Sequence, residues 1–104
     1  MIRFMVLYPH PLDADAFDRH YFEVHVPLVE EFANLRNYTL GRDFSPVRGD
    51  LRYHLVAELD WDDLASLRED FASDAGVKAG LDAEILNGMC PGMHSMIFDV
   101  QSMK

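Results

Sequence analysis

The order of strand and helix patterns along the chain restricts its fold more than any other feature. Apolar runs and alternations typical of strands occur at 2–8, 38–44, 51–59 and 93–100. In the intervals after the first and third of these, apolar residues recur at helical steps of three and four. The order β-α-β-β-α-β predicts a four-stranded antiparallel sheet with helices on one face, an α+β ferredoxin-like fold. With 104 residues, the chain is expected to form one domain, 1–104.

The first helix is predicted to be interrupted by Pro27. A proline inside a helix removes one backbone hydrogen bond and clashes with the carbonyl four residues earlier, here that of Glu23. We therefore expect the helix that starts near Ala14 to kink or break between Glu23 and Val26 and to resume at Pro27. The apolar stripe expected to face the core is Phe17, Tyr21, Val24, Leu28, Phe32 and Leu35.

The second helical region is predicted to consist of two helices. Asp60 and Asp63 resemble a capping box that opens the first of them, and Ser73 or Asp74 caps the second. The second is expected to stop at Asn87-Gly88, a typical C-terminal signal. Its apolar residues, expected to face the core, are Val77, Leu81, Ile85 and Leu86.

The first and last strands are apolar on both sides, although the helices can cover only one face of the sheet. In the first strand, the two sides are Ile2, Phe4 and Val6 against Met5 and Leu7. In the last strand, they are Met96, Phe98 and Val100 against Met93 and Ile97. A sheet with two apolar faces and one helical layer predicts a homodimer that packs sheet on sheet.

Composition restricts the partners and the compartment. The formal net charge of −9 makes nucleic acid and anionic membranes poor partners, because binding a phosphate backbone requires a basic patch. The single cysteine, Cys90, excludes an intrachain disulfide and CxxC metal motifs. No apolar run approaches the roughly 20 residues of a membrane span, and no signal peptide is evident. These features predict a soluble, cytoplasmic protein.

The segment 17–28 carries a motif that resembles the signature of the EthD family. Its sequence FDRHYFEVHVPL matches F-x-x-H-Y-x-x-x-H-x-P-L, and 38–42, 71–76 and Asp82 resemble later parts of the family. The resemblance implies membership of the dimeric α+β barrel superfamily of ferredoxin-like domains. That superfamily includes cofactor-free monooxygenases, muconolactone isomerases, polyketide cyclases and haem-degrading enzymes, so the fold alone does not select a reaction.

Among the motif residues, His25 is the favoured catalytic candidate. On an ideal helix His20 and His25 lie about 140° apart, too far to ligate one metal, so no metal and no cofactor is expected. The resemblance to methylmuconolactone isomerases, in which a histidine of the equivalent helix lines the active site, favours His25 as the acid–base group. Tyr21 and Arg42 are predicted to assist it as donors. The candidate substrate-binding residues are His20, Tyr38, Tyr53 and His54.

Two functions follow from this interpretation. The first is a cofactor-free enzyme, of isomerase, cyclase or monooxygenase type, acting on a small apolar or aromatic substrate held between helices and sheet. The second is a non-catalytic ligand-binding or stress-related module that uses the same pocket. In a purely structural alternative, the ring of His25 bonds a carbonyl freed at the kink, His20 lies at the surface and His54 forms a buried polar pair. A packed interior around His25 would exclude the enzyme.

Overall fold

The structure is a computed structural model that describes all residues, Met1–Lys104. Its sheet has the order β2-β3-β1-β4, with every neighbouring pair antiparallel. The α+β architecture predicted from the strand and helix order is therefore confirmed. The elements are β1 (Ile2–Pro9), α1 (Ala14–His20), a π-helical turn (Tyr21–His25), α2 (Val26–Val29), β2 (Asn37–Gly41), β3 (Tyr53–Trp61), α3 (Leu64–Ala72), α4 (Asp74–Met89) and β4 (His94–Asp99).

The two faces of the sheet have different surroundings. Alternation along β1 and β3 turns one set of apolar residues toward the helices, where they are buried: Val6, Tyr8, Leu55, Ala57, Leu59 and Trp61. The opposite face carries the apolar residues Met5, Leu7, Val56, Met96 and Phe98. No helix packs on that face, and Met96 and Phe98 are exposed. The chain by itself thus leaves one apolar sheet face open.

The interruption predicted at Pro27 takes the form of the π-helical turn. The N–H of Val26 donates to the carbonyl of Tyr21, five residues earlier, and Pro27 stands in the first turn of α2. The wider turn changes which residues face the core. Tyr21, His25 and Val29 are buried at steps of four, whereas Val24, predicted on the apolar stripe, is exposed. The buried Phe32 and the partly buried Leu35 follow the helix, which ends at Val29.

Two predictions for the second helical region were wrong. The side chain of Asp63 caps α3 by accepting from the N–H of Ser66, whereas Asp60 belongs to β3 and pairs with Arg3. In α4, which Ser73 caps and which runs to Met89, the core-facing residues are Ala79, Asp82 and Leu86. The residues Val77, Leu81 and Ile85, predicted to face the core, are exposed.

None of the helices combines the length and the apolar character needed to cross a membrane.

Candidate functional site

A cavity of about 520 Å³ lies between the helix-facing side of the sheet and α4. Thirteen of its nineteen lining residues are hydrophobic, and the volume is within the usual range for sites that bind small molecules. The space exists because α4 presents small residues to it: Gly76, Ala79, Gly80 and Ala83. Exposed residues of the same helix, Glu84 and Asn87 among them, form its mouth.

His25 lies at the wall of this cavity and is 7% exposed. Its Nδ1 is 2.9 Å from Oδ2 of Asp82, so Nδ1 carries the proton and donates it to the carboxylate. Nε2 has no hydrogen-bond partner in the chain, and no buried side-chain N or O lacks one, so Nε2 must be accessible from the cavity. Burial lowers the pKa of His25 and outweighs the opposing effect of Asp82. Near neutral pH the ring therefore presents an unprotonated nitrogen to the cavity.

Asp82 connects the two histidines of the motif. It is 5% exposed, and its Oδ1 accepts from Nε2 of His20 at 2.7 Å while Oδ2 accepts from His25. The two imidazoles therefore meet at one carboxylate, contrary to the expectation from an ideal helix, because the π-helical turn places residues five apart on one side. His20 does not line the cavity. We name His20, His25 and Asp82 the buried cluster.

Three tyrosines bring hydroxyl groups to the cavity. The hydroxyls of Tyr21 and Tyr38 are 2.5 Å apart, and one of them donates to the other. Burial raises the pKa of Tyr21 and raises that of Tyr38 to about 12, so both are neutral donors. Since the pair has two protons and one internal hydrogen bond, one O–H is left for a ligand. Tyr8, 1% exposed, lines the same cavity and its hydroxyl has no partner in the chain.

Tyr8 and Asp82 were not among the residues proposed from the sequence. In the sequence, Tyr8 has the pattern of an ordinary apolar strand residue, and nothing in the alternation of β1 distinguishes it. Asp82 did carry a signal, because it stands three residues after Ala79 and four before Leu86 on the buried side of α4. An acidic residue within a buried stripe requires partners, and the two histidines supply them.

The other predicted site residues lie elsewhere. Arg42 donates to Asp18 at 3.3 Å and covers the ring of Phe22, and Nε2 of His54 lies 2.7 Å from the other oxygen of Asp18. Arg42 and His54 border a polar cleft of about 230 Å³ together with Tyr53 and His10, whose ring packs against that of His54. The structure does not bring Arg42, Tyr53 or His54 to His25. We name His10, Asp18, Arg42 and His54 the edge cluster.

A bulge in β3 directs His54 toward α1. Tyr8 pairs with Leu55, but Pro9 pairs with Tyr53, which leaves His54 as an extra residue in the ladder. Regular alternation would place His54 on the open face of the sheet. The bulge instead allows its ring to contact Phe17 and Asp18 on the helical side.

The EthD domain matches residues 9–85. The chain belongs to the EthD family. An uncharacterised 11.0 kDa protein of Rhodococcus erythropolis, encoded between thcB and thcC, is 29% identical and covers 98% of this chain and 97% of its own length. The crystal structure of an EthD family protein from Bacillus halodurans C-125 is 32% identical, with a TM-score of 0.87, over 97% of this chain and 99% of its own.

More distant structures share only the fold. The cofactor-independent oxygenase SnoaB of Streptomyces nogalater has a TM-score of 0.71 at 16% identity, over 98% of this chain and 95% of its own. A dimeric ferredoxin-like protein of unknown function from Thermobifida fusca has a TM-score of 0.71 at 18% identity, over 95% and 90%. The EthD match itself includes every member of the buried cluster and stops before β4.

Proposed function

We propose that this EthD protein is a cofactor-free enzyme in which His25 moves a proton on a small apolar or aromatic substrate. The observation that carries the proposal is the free Nε2 of a neutral His25 at the cavity wall, with Nδ1–H held by Asp82. Holding one ring nitrogen on a carboxylate sets the tautomer in which the other can accept a proton. A histidine that only satisfied a helix carbonyl would need neither the carboxylate nor the cavity.

The chemistry begins when a C–H or O–H of the bound substrate gives its proton to Nε2. The electron pair remains on the substrate as an enolate or phenolate, and the free hydroxyl of the Tyr21–Tyr38 pair donates to its oxygen. The imidazolium that forms is stabilised by Asp82, which His20 holds in place. Return of the proton to a different atom completes an isomerisation. In a cyclisation the enolate carbon instead bonds to a carbonyl carbon of the same molecule, the π electrons of that carbonyl move to its oxygen, and the resulting alkoxide takes the proton from the imidazolium. Tyr21 thus keeps its predicted role as an assisting donor, whereas the geometry favours Tyr38 over Arg42 as its companion.

The distant neighbour SnoaB supports cofactor-free chemistry on this fold. It is described as a cofactor-independent oxygenase, and its similarity to this chain spans nearly the whole domain. Removal of a proton from an activated substrate is a step that oxygenase, isomerase and cyclase chemistry can share. A fold hosts many reactions, so the proposal rests on His25 and its surroundings.

Hydrogen–deuterium exchange tests the proposal without knowledge of the natural substrate. The probe is 2-tetralone, a bicyclic ketone whose C1 protons are acidic, followed by proton NMR in deuterium oxide. We expect the protein to accelerate loss of the C1 signal and His25→Gln to slow it by about 100-fold or more. His54→Gln is the matched control, because it changes a histidine–aspartate pair outside the cavity.

Two outcomes would reject the enzymatic proposal. One is an exchange rate equal to that of buffer while the ketone is bound, which would favour the non-catalytic binding module. The other is a full rate in His25→Gln, which would leave His25 with a structural role. Circular dichroism of each variant separates loss of the fold from loss of the base.

We also propose that the protein is a homodimer formed through the open sheet face. Met96 and Phe98 are exposed there, and the Thermobifida fusca neighbour is described as dimeric. Light scattering is expected to give twice the 11.9 kDa of the chain, and Phe98→Glu to give a monomer. Leu81→Glu, at an exposed apolar residue of α4, should remain dimeric. A monomeric parent protein would contradict the proposal. The predicted cytoplasmic location also remains a proposal, supported by the lone Cys90.

A further inference from the structure

The lining of the cavity contains no basic side chain other than that of His25. Among its lining residues Glu84, at the mouth, is the only one with a formal charge at neutral pH, and no lysine or arginine lines it. The carboxylate of Asp82 lies directly behind His25 and accepts hydrogen bonds from His20 and His25. An anion that entered would lose its hydration and meet no counter-ion.

Apart from the exposed residues Glu84, Asn87 and Ser95, the polar side chains that line the cavity offer one acceptor and two donors. The acceptor is Nε2 of His25, and one donor is the spare O–H of the Tyr21–Tyr38 pair. The second is the Tyr8 hydroxyl, which has no partner in the chain and, because no buried side-chain oxygen lacks one, is accessible from the cavity. Since this hydroxyl lines the cavity and has no partner in the chain, it is available to donate to an acceptor that a ligand brings.

We infer that the cavity takes an uncharged, largely apolar molecule with an enolisable carbonyl and rejects carboxylates of the same size. This inference rests on the proposed function, because it assigns the acidic C–H of the ligand to His25. The carbonyl oxygen, which has two lone pairs, accepts from the Tyr8 hydroxyl and from the free hydroxyl of the Tyr21–Tyr38 pair, and the ring skeleton contacts apolar residues such as Val6, Leu59 and Phe71. A carbonyl with its neighbouring C–H therefore matches both the tyrosine donors and the acceptor Nε2 of His25.

Binding measurements with two matched bicyclic probes test the selectivity. Titration calorimetry near neutral pH is expected to show that 2-tetralone binds at least about tenfold more tightly than 2-naphthoate. Glu84→Lys, which places a cation at the mouth, should narrow or reverse that ratio. Glu69→Lys is the matched control, since it makes the same charge change at an exposed position of α3 that does not line the cavity.

A third probe, tetralin, isolates the hydrogen bond from Tyr8 because it lacks the carbonyl. We expect Tyr8→Phe to weaken the binding of 2-tetralone by about fivefold to tenfold and to leave tetralin unchanged. Equal or tighter binding of 2-naphthoate to the parent protein would overturn the inference. So would an unchanged ketone affinity in Tyr8→Phe, or the absence of binding by either bicyclic probe up to its solubility limit.

The outcomes separate this inference from the proposed function. Selective binding of the ketone without deuterium exchange would confirm the ligand class and reject the enzyme. Exchange that depends on His25 together with preferred binding of the carboxylate would confirm the base and overturn the ligand class.

Discussion

The buried cluster and the edge cluster use the same chemical groups in different surroundings. In each, imidazole nitrogens meet an aspartate at hydrogen-bond distance: 2.7 and 2.9 Å at Asp82, and 2.7 Å at Asp18. Asp18 is about one third exposed and also accepts from Arg42, whereas Asp82 is 6% exposed at its side chain and meets only the two histidines. Histidine–aspartate geometry alone therefore does not identify a catalytic base.

Burial and the second ring nitrogen distinguish the two clusters. Burial lowers the pKa of His25, and its Nε2 faces an apolar cavity large enough for a small molecule. At the edge cluster, the nearby arginine and the open polar cleft provide compensation and water. Function at a histidine–aspartate pair therefore depends on desolvation and on an unused ring nitrogen, both of which come from the tertiary structure.

The largest expected difference in stability comes from removing the two aspartates. Asp82→Ala should lower the free energy of unfolding by about 3 kcal/mol, because it leaves two imidazole donors without their acceptor, one of them buried. Asp18→Ala should cost less than about 1 kcal/mol, as is usual for partly exposed pairs. Urea denaturation measures both. Equal decreases in the free energy of unfolding would show that burial does not make Asp82 more important for stability than Asp18.

The stability of the protein should depend on pH through His25. Because the folded state lowers the pKa of His25 below its ordinary value near 6.5, the unfolded chain binds the proton more readily. The contribution of His25 to stability is full above about pH 6.5 and falls as the pH decreases toward the lowered pKa. Urea denaturation between about pH 5 and 7.5 should therefore show a steeper acid loss in the parent protein than in His25→Gln. Identical slopes would contradict the lowered pKa.

More of the fold than of the candidate site could be predicted from the sequence. The order of periodicities predicted the antiparallel sheet, and Pro27 predicted an interruption between Glu23 and Val26, which overlaps the π-helical turn at Tyr21–His25. The form of the interruption was not predictable, because either a π-helical turn or a simple kink accommodates a proline that lacks a backbone N–H. That choice decides that His25 faces the core and Val24 does not.

The site residues on other elements depended on information that spacing does not contain. Arg42 and His54 were candidate polar partners of His25, yet the bulge at His54 and the pairing of Arg42 with Asp18 place them in the edge cluster. Asp82 is separated from His25 by 57 residues, and only the packing of α4 on the π-helical turn brings them together.

Tyrosine substitutions test whether the cavity or the cleft provides the oxyanion donor. Tyr38→Phe should slow deuterium exchange of 2-tetralone by about tenfold or more, because it removes one hydroxyl of the pair that donates to the enolate. Tyr53→Phe, at the polar cleft, is the matched control and should change the rate by less than about twofold. Similar decreases of the exchange rate in both variants would indicate that the cavity and the cleft form one functional site.

The smallest expected effect concerns Arg42, the catalytic candidate that the structure places outside the cavity. Arg42→Gln removes a partly exposed ion pair with Asp18 and should lower the free energy of unfolding by less than about 1 kcal/mol, with a smaller effect at high salt. Its exchange rate should stay within about twofold of the parent, since the guanidinium does not reach the cavity. A tenfold slower rate with intact fold would restore Arg42 as an assisting donor and require a contact that a single chain does not make. The edge cluster would then belong to the active site, and burial would not distinguish a catalytic histidine–aspartate pair from a structural one.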